Sequence, residues 1–575
     1  MKTSSSRSIL ALAALCAVAC TPAGPKPEET ADAIYTGGPI LTVDDDHPTA
    51  EAVAVKDGRI LAVGAKSDVM KARAASTKLV DLGGRTLLPG LVDSHGHAYL
   101  IGIQAASANL LPPPDGEGKD IAALQALLRD WAAKNQTAIE KVGWIVGFGY
   151  DDSQLAEERH PTRDELDAVS KDLPVLVIHQ SGHLGVANSK ALELAGITAA
   201  TKDPQGGVFR RRPGSREPNG VCEEYAFFAV ASRMGARFDD AINESLVIEG
   251  TKLAASFGYT TVQEGRAMGA SVAAMQRVAA KGKLSVDLVA YPDILEAGEI
   301  QPSRDYHNRF RIGGAKLTID GSPQGKTAWL SHPYFVPPDG QAKSYAGYAA
   351  IDEQTTFDAV EKAFANGWQI LCHGNGDAAI DRYIEAVRRA KARHPGVDNR
   401  PVLVHGQTLR EDQVDALEEL GIFPSLFPMH TFYWGDWHRE SVLGPERAEN
   451  ISPTGWVVAR GMKFGSHHDA PVALPDSMRV LSATVTRKTR SGQVLGAAQR
   501  VSVAVALKSL TLWPAWQHFE EKTKGSIETG KRADFVVLSD NPLTVAEDAL
   551  ADLKVMETIK DGVSVYRRAA DAGSR

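Results

Sequence analysis

Two histidines separated by one residue, His95 and His97, follow a short apolar run in "LLPGLVDSHGHAYL". In an extended strand, residues i and i+2 lie on one face, so both imidazoles can point at the same ion. Imidazole nitrogens, together with a carboxylate, suit Zn²⁺ and similar divalent ions. A single His-x-His pair is more often structural, so the interpretation depends on what the rest of the chain supplies.

Further side chains that can bind a metal lie at the ends of other apolar, strand-length runs. Each one alone is weak evidence, because a lone histidine at a strand end more often hydrogen-bonds a loop. With His95 and His97 they make five metal-competent side chains and one lysine, a set that predicts a metal centre. The additional members are Lys316 in "GGAKLTIDG", His373 in "WQILCHG", His405 in "RPVLVHGQ" and Asp469 in "KFGSHHDAP".

Lys316 does not suit a metal centre as an ammonium group, because its charge would repel the ion. Carbamylation by CO₂ would turn its amine into an anionic oxygen donor that can bridge two ions. The alternative is a lysine that forms a salt bridge with a neighbouring carboxylate, and Glu264 is a rival bridging ligand. We adopt the hypothesis of a CO₂-derived carbamate on Lys316, with Zn²⁺ or another divalent metal, one or two ions per chain.

Strand-length apolar runs that alternate with helical stretches must hold these side chains in place. Eight strand candidates follow this alternation, and runs that are apolar throughout suit strands buried on both faces. They predict an α/β fold, a (β/α)₈ TIM-type barrel over residues 89–515 with its chemistry at the carboxyl ends of the strands. Residues from about 100 to 257 exceed one strand–helix unit and predict a large insertion after the first barrel strand.

Runs rich in β-formers and broken by glycine occupy both ends of the mature chain, residues 33–88 and 516–568. Asp57-Gly58 and Asp561-Gly562 stand where two-residue hairpin turns are expected. We predict that these two pieces of the chain pair into one composite β-sandwich domain.

Composition and charge limit the kinds of partner. The chain has 575 residues, of which 43% are hydrophobic and 23% charged, and its formal net charge is −8 at pH 7. A mildly acidic chain has no basic surface for phosphate backbones, which argues against nucleic acid as a partner. The expected partner is a small-molecule substrate, and a homo-oligomer is left open.

The first residues have the pattern of a bacterial export signal. Lys2 and Arg7 flank the start of the apolar run "SILALAALCAV", which is too short to span a membrane. Small residues before Cys20 resemble a lipobox, so we predict a signal peptide over residues 1–19 and a lipidated tether over 20–32. We expect an exported protein of the cell envelope, lipid-anchored through Cys20, most consistent with the periplasmic side of the outer membrane. The alternative is an ordinary cleaved signal and a periplasmic protein.

Several longer stretches carry a family likeness, from about residue 33 to 568: "TLLPGLVDSHGH", "SGHLGVANSKALELAGI", "KLTIDGSPQGKTAWL", "LCHGNGDAAID", "LVHGQTL", "HHDAPV" and "GSIETGKRADFVVL". They resemble the amidohydrolase superfamily of metal-dependent hydrolases, in its amidohydrolase-3 branch, which includes N-substituted formamide deformylase. The resemblance implies that His95, His97 and Asp469 hold one metal. It further implies that His373 and His405 hold the other metal and that carbamylated Lys316 bridges the two.

The resemblance also implies a reaction. Metal-activated water would attack an amide carbonyl, and Asp469 would take a proton from that water and pass it to the leaving amine. The leading expectation is therefore an enzyme that hydrolyses a C–N bond other than a peptide bond, in an N-acyl or N-formyl amine.

Alternatives to amide hydrolysis stay open at this stage. A deaminase of the same superfamily typically uses one metal and a glutamate after strand five, but no glutamate follows His373 in "HGNGDAAID" and Lys316 argues against this reading. An ester or lactone hydrolase would use the same activated water. A non-catalytic binding lipoprotein is a different class, although such proteins usually lose ligands and here none is missing. The sequence does not name the substrate.

Three residues near the predicted metal centre are candidates for substrate contacts. His183, in "SGHLGVANS", contacts substrate by family likeness, or else is a structural loop histidine. His467 precedes Asp469 by two residues, so strand alternation can aim both at one face. Asp320 lies just past Lys316 and either orients the substrate or shapes the loop.

The stretch "PMHTFYWGDWHRE", residues 428–440, should lie at the rim of the site because it follows the seventh strand candidate. Trp434 and its aromatic neighbours would form a wall for an apolar part of the substrate. His430 could add a polar contact. The alternative is a loop that packs on itself through its aromatic side chains.

Overall fold

The computed structural model describes residues 29–296, 298–338 and 340–569. The predicted signal peptide, Cys20 and residues 21–28 of the tether lie outside the described residues. Within the described ranges, no helix combines the length and the apolar character that crossing a bilayer requires.

Strands form the framework of the molecule. In the described residues they are, in chain order, β1 Ala33–Leu41, β2 Thr49–Lys56, β3 Arg59–Gly64, β4 Lys78–Asp81, β5 Thr86–Pro89, β6 Leu91–Val92, β7 Ala108–Asn109, β8 Ile145–Tyr150, β9 Val175–His179, β10 Leu184–Ala187, β11 Gly207–Arg211, β12 Pro218–Glu224, β13 Tyr259–Ala267, β14 Asp287–Pro292, β15 Phe310–Ile312, β16 Gly314–Thr318, β17 Gln369–Gly374, β18 Val402–His405, β19 Phe423–Leu426, β20 Gly465–Ser466, β21 Phe535–Leu538, β22 Val555–Lys560 and β23 Val563–Arg567.

Helices connect and cover these strands. The α-helices of the described residues are α1 Lys66–Val69, α2 Ala98–Ala105, α3 Ile121–Lys134, α4 Gln136–Val142, α5 Arg163–Asp167, α6 Ser189–Ala195, α7 Tyr225–Gly235, α8 Asp240–Ser256, α9 Gly269–Ala280, α10 Glu353–Ala365, α11 Asp377–Arg393, α12 Glu411–Leu420, α13 Met429–Trp437, α14 Gly444–Ala448, α15 Thr454–Ala459, α16 Ser477–Thr486, α17 Val503–Lys508 and α18 Leu512–Gln517. Short 3₁₀ turns lie at Met70–Ala72, Ala497–Gln499 and Glu547–Asp552, and a π turn at His438–Val442.

Strands from both ends of the chain share one sheet, in the order β23-β22-β21-β5-β1-β2-β3, with β4 paired to β1. The two ends meet where β5 pairs antiparallel with β21, so that Leu88 lies opposite Val536. Asp57 and Gly58 form the turn between β2 and β3 with φ of 47° and 73°, the left-handed geometry that a two-residue hairpin needs. The predicted hairpin at Asp57-Gly58 is therefore confirmed.

Parallel strands form two further sheets, ordered β15-β14-β13-β6 and β16-β17-β18-β19-β20. An isolated parallel bridge between Asp293 and Lys316 connects them on one side. On the other side, Val92 N donates to Leu510 O at 2.9 Å and Ser466 N donates to Ser509 O at 3.0 Å. The α/β class predicted from sequence is confirmed, but the pairing of the described strands does not run continuously around a closed barrel.

Helix α11 shows how the helices attach to the parallel strands. Its residues Ile380, Tyr383 and Val387 are spaced by three and four positions, so they lie on one face and are fully buried. They pack in one core with Ile370 of β17 and Leu403 of β18. Burying an aliphatic side chain of this size contributes roughly 1.5–3 kcal/mol, which holds these two strands, and the histidines at their ends, in place.

Residues between β6 and β13 form a sheet of their own, in the order β11-β12-β10-β9-β8-β7. Buried side chains on its two sides, such as Phe148 and Phe227 on one and Leu128 and Val175 on the other, give it separate hydrophobic cores. This sheet falls within the stretch of about residues 100 to 257 that the sequence predicts as an insertion.

Candidate metal centre

The residues singled out by the sequence lie at the carboxyl ends of the parallel strands or within them. His95 and His97 follow β6, and Asp469 follows β20, the outer strand of the other sheet. Carboxyl ends of parallel strands gather at one edge, which brings together residues far apart in the chain. The remaining members are Lys316 in β16, His373 in β17 and His405 at the end of β18.

Four side chains, His95, His97, His405 and Asp469, lie close together. Oδ1 of Asp469 lies 3.3 Å from Nε2 of His95 and 3.3 Å from Nε2 of His97. Ligand atoms of His95, His405 and Asp469 all lie within 4.8 Å of one another, and all three residues are buried. That spacing suits a metal ion placed between the imidazoles and the carboxylate.

Lys316 lies against this cluster. Its side chain is 1% exposed, and its Nζ lies 3.1 Å from Nε2 of His95. Burial lowers the pKa of Lys316 to about 8, because the desolvated ammonium is disfavoured. Among the described residues, Lys316 forms no ion pair with a carboxylate, as the salt-bridge alternative would require.

His373 and His405 form a second part of the cluster. Nε2 of His405 lies 3.0 Å from Nδ1 of His373, and the ring centroids are 4.5 Å apart. Nε2 of His373 lies 3.1 Å from both the carbonyl oxygen of Gly321 and Nδ2 of Asn375. Burial holds the pKa of both histidines well below the ordinary value, which leaves the imidazoles neutral, the form that binds metals.

Two residues in the middle of β13, Gln263 and Glu264, support the first histidine pair. Oε1 of Gln263 lies 2.7 Å from Nδ1 of His95; as an amide oxygen it accepts the Nδ1 proton and leaves Nε2 with a free lone pair facing Asp469. Oε1 of Glu264 lies 3.5 Å from Nδ1 of His97. Oε2 of Glu264 accepts a hydrogen bond from the backbone N of Tyr99 at 2.7 Å. Glu264 thus contacts a histidine from behind rather than standing as a rival bridge to Lys316.

His467 stands between the two histidine groups. Its ring centroid lies 5.3 Å from that of His95 and 5.2 Å from that of His405, and it stacks on Phe427 at 4.8 Å. It is fully buried, and neither ring nitrogen has a hydrogen-bond partner in the described part of the chain. His467 is therefore available to the cluster as a further donor.

A small cavity opens beside the cluster and is lined by His373, His405 and Asp469. His183 and His430, which the sequence predicts as substrate contacts, also line it. Nδ1 of His183 lies 2.6 Å from Oε2 of Glu224, which leaves the opposite ring nitrogen free to face a ligand.

Asp320 and Trp434 are not among the residues that line this cavity. Asp320 accepts backbone N–H groups of Trp329, Asn375 and Gly376, so it shapes the loops around His373. Burial raises the pKa of Asp320 to about 7. Trp434 is 1% exposed and donates its indole N–H to Asp151, so the structure does not place it as an aromatic wall of the site.

Comparison with known proteins places this site in a family. The profile described as the amidohydrolase family matches residues 78–566. The chain belongs to the amidohydrolase family. It is 26% identical over 554 residues to N-substituted formamide deformylase of Arthrobacter pascens, covering 93% of this chain and 98% of the relative. It is 28% identical over 531 residues to Protein LONG AFTER FAR-RED 3 of Arabidopsis thaliana, covering 89% of this chain and 88% of the relative.

Solved structures agree with the family assignment at the level of the fold. The crystal structure of an uncharacterized metal-dependent hydrolase from Pyrococcus horikoshii OT3 has a TM-score of 0.72 and 24% identity, covering 90% of this chain and 99% of that one. The resemblance drawn from the sequence motifs is thus confirmed. At the level of the family, the chain therefore belongs to a group of hydrolases.

Two residues of the amidohydrolase site have strained backbones. His405 has φ of 74° and Asp469 φ of 52°, in the left-handed region that residues with a side chain rarely adopt. Such conformations cost roughly 1–3 kcal/mol each and persist where surrounding structure enforces them, most often at functional sites. The strain turns both side chains toward the same cluster.

Gln263 is the site residue that sequence reasoning missed. Gln263 precedes Glu264 in "TVQEG", and a lone glutamine within a strand carries no recognisable pattern. What identifies it is the pairing of Tyr259 with Leu91, which aligns β13 with β6 and so brings Gln263 to His95. Only the fold supplies that register.

Proposed function

We propose that this chain is a metal-dependent amidohydrolase that hydrolyses the C–N bond of an N-acyl or N-formyl amine. The observation that carries the proposal is the convergence of His95, His405 and Asp469, whose ligand atoms lie within 4.8 Å of one another at the strand ends. The similarity to N-substituted formamide deformylase over 93% of this chain supports the choice of an amide-type bond.

The donor set fits a divalent metal. Oδ1 of Asp469 is buried and has no hydrogen-bond partner among the described residues. Leaving such an atom unpaired costs roughly 1–3 kcal/mol, and a cation beside the carboxylate removes that cost. The proposed ligands of one ion are His95, His97 and Asp469. The proposed ligands of a second ion are His373 and His405.

A divalent ion held here would supply activated water and polarise the carbonyl of the substrate. The chain's own residues do the rest. Asp469 stands where it can accept a proton from the attacking water and return it to the nitrogen of the leaving amine. Gln263 keeps the His95 ring oriented, and the low pKa of His373 and His405 keeps both rings neutral.

We propose that Lys316 carries a carbamate. The ammonium group of Lys316 first loses one proton; a bond then forms between Nζ and the carbon of CO₂, a second proton leaves Nζ, and the product is a carbamate anion whose oxygens could bind the metal ions. The support is positional: Nζ is buried, lies 3.1 Å from Nε2 of His95 and makes no direct salt bridge to a carboxylate among the described residues. A buried ammonium group is costly even though Asp469 and Asp293 interact with it at longer range, and the modification would replace that cation with an anion that the metals would neutralise.

We infer that the two parallel sheets make one distorted (β/α)₈ barrel. The bridge from Asp293 to Lys316 joins them on one side, and Ser509 and Leu510 lie between Ser466 and Val92 on the other. The insertion sheet would cover the mouth, and the shared sheet of both chain ends would be part of a composite β-domain.

We propose that the protein is exported and anchored to the bacterial envelope through a lipid on Cys20. The support is the sequence pattern of residues 1–20 alone. A Cys20→Ala variant, expressed beside the natural chain, should move the protein from the membrane fraction to the soluble periplasmic fraction. Equal membrane association of both proteins would contradict the anchor.

Metal content tests the central proposal. The body from residue 33 would be purified in bicarbonate beside Lys316→Ala, and bound metal measured by mass spectrometry together with hydrolysis of N-formyl and N-acetyl amines. We expect about two divalent ions per chain, falling to one or fewer in the variant. Amide hydrolysis should be lost with the metal. About one ion in both proteins would contradict the bridging carbamate, and an enzyme loaded with zinc that cleaves no amide would contradict the reaction.

A further inference from the structure

The cavity beside the metal cluster has a polar wall. Ser322, Gln324 and Asn375, from the segments that follow β16 and β17, all line it, and their exposed fractions are 4%, 6% and 4%. In each of these residues one polar side-chain atom has no partner among the described residues: Oγ of Ser322, Oε1 of Gln324 and Oδ1 of Asn375. Buried polar atoms are normally hydrogen-bonded. Three unpaired polar atoms, in residues that line one small cavity, therefore indicate that a bound ligand hydrogen-bonds to them.

The backbone around these three side chains is held firmly. Ser322 N donates to Thr327 Oγ1 at 2.9 Å, and Ser322 O accepts from Thr327 N at 2.9 Å. The backbone O of Gln324 accepts from Trp437 Nε1 at 3.1 Å. Loose packing therefore does not explain why the tips of Ser322 and Gln324 are unpaired.

The orientation of the Asn375 amide is fixed by its donor side. Nδ2 of Asn375 donates to the carbonyl oxygen of Gly321 at 2.9 Å, which an amide oxygen in that place could not do. Oδ1 of Asn375 therefore presents an acceptor without a partner. A hydroxyl or N–H group of a ligand is the chemistry that satisfies it.

Size and apolar content limit the ligand further. The cavity encloses far less space than the roughly 300–1,000 Å³ that is usual for sites of drug-sized ligands. Phe427 and Val472 are its apolar lining residues, and the aromatic side chain of Trp434 is bonded elsewhere. The sequence predicts that the site accommodates a large apolar or aromatic part of the substrate. A cavity this small, with a largely polar lining, does not suit such a group.

We propose that Ser322, Gln324 and Asn375 are specificity residues that hydrogen-bond a hydroxyl or amino group of the substrate outside the scissile amide. The substrate class is then a small, polar N-acyl or N-formyl amine. This inference rests on the proposed function and adds to it the kind of substrate that the site selects.

Isosteric substrate pairs test the proposal, since a hydroxyl and a methyl group occupy similar space. One pair differs on the amine side, N-(2-hydroxyethyl)formamide against N-propylformamide, and the other on the acyl side, N-ethylglycolamide against N-ethylpropionamide. In at least one pair, kcat/KM of the metal-loaded enzyme should favour the hydroxyl member by about tenfold or more, because a methyl leaves the buried polar wall unpaired. Equal kcat/KM within both pairs would overturn the proposal.

Substitutions in the polar wall test whether its residues cause the preference for the hydroxyl substrate. Gln324→Leu should remove most of the roughly tenfold preference, and Ser322→Ala, a smaller change that is easier for the fold to accept, should reduce it. The matched control is Gln180→Leu: Gln180 is also buried with an unpaired amide, but it does not line the cavity, so the preference should persist. A preference unchanged in both Gln324→Leu and Ser322→Ala would overturn the assignment.

A binding measurement separates this proposal from the proposed function. Saturation-transfer NMR, with both members of a pair competing for the same metal-loaded protein, reports the preference whether or not either is hydrolysed. Selective binding of the hydroxyl member without turnover would support the polar wall and contradict amide hydrolysis. Hydrolysis of both members without selectivity would support the proposed reaction and overturn the proposed role of the polar wall in specificity.

Discussion

Oδ1 of Asp469 lies 3.3 Å from Nε2 of His97, and the same oxygen lies 3.3 Å from Nε2 of His95. One carboxylate oxygen thus faces two imidazoles that come from a different strand end. Because φ of Asp469 is 52°, the backbone accepts strain to hold the carboxylate there. That combination suits a residue that is both a metal ligand and the group that moves a proton.

Replacing the Asp469 carboxylate by an amide tests its charge without changing the size of the side chain. Asp469→Asn keeps the size of the side chain but removes the anion and the base, so kcat should fall by about 10²–10⁴-fold and bound metal should decrease. Steady-state kinetics and metal analysis on the same preparation measure both effects. Asp398→Asn, at a side chain that is 75% exposed, is the control and should change neither. Full activity of Asp469→Asn would contradict the role of this residue.

Gln263 should matter for the metal more than for the fold. Gln263→Leu removes the acceptor at 2.7 Å from Nδ1 of His95, so the ring loses its fixed orientation. Metal affinity should fall roughly 10–100-fold, as is usual when a partner behind a ligating histidine is removed. Chelator competition measures the change. Gln263→Glu retains an acceptor and should recover most of the affinity, whereas equal loss in both variants would assign Gln263 a packing role.

Much of the metal site follows from sequence because its members share a simple rule. His95, His373, His405 and Asp469 each come at the end of an apolar strand-length run, and parallel strands end at the same edge. The paired hairpin at Asp57-Gly58 follows in the same way from a local preference for left-handed backbone.

The features that sequence did not reveal depend on distant packing. The sequence predicts Trp434 as part of an aromatic wall, yet its indole N–H donates a hydrogen bond to Asp151. Asp151 lies in the predicted insertion, and no local sequence pattern indicates that it reaches Trp434. Gln263 meets His95 only through the register between β13 and β6. The connection between β20 and β6 passes through Ser509 and Leu510, which lie at the end of a helical segment rather than in a recognisable strand.

An acid-dependent loss of stability should appear at Glu520. Its carboxylate contacts Lys524 at 2.8 Å and Arg311 at 3.1 Å. Burial opposes its ionisation, but these two cations lower the pKa of Glu520 from 4.5 to about 2. A carboxyl whose folded pKa is lowered contributes stability that is fully present above its unfolded pKa and is lost as the pH falls through its folded pKa.

The contribution of this carboxylate is therefore complete above about pH 5 and disappears toward about pH 2, and it amounts to roughly 3 kcal/mol. Urea unfolding of the natural chain and of Glu520→Gln measures it as the difference in the free energy of unfolding. We expect a large difference at about pH 6 and a smaller one at about pH 3. A difference that does not change with pH would show that packing, not ionisation, accounts for the effect.

Gly265 should be required for the position of the His95 ring. A Cβ added at Gly265 would lie 2.2 Å from Cε1 and 2.6 Å from Nδ1 of His95, so the imidazole would have to move away from Gln263. Because the ring is fully buried among other candidate ligands, it has little room to move. Gly265→Ala should therefore lower metal affinity by roughly 10–100-fold while the secondary structure, followed by circular dichroism, is retained.

Gly269→Ala is the matched control for this substitution. It lies four residues further along, at the start of α9. Among the described residues, an added Cβ there meets nothing within 4 Å apart from its chain neighbours and the backbone of its own helix. Metal affinity of that variant should equal that of the natural chain. If Gly265→Ala also kept its full affinity, the His95 ring would not need the position it has in this structure. If instead both variants lost metal equally, the cause would be a general effect of alanine in this segment rather than contact with His95.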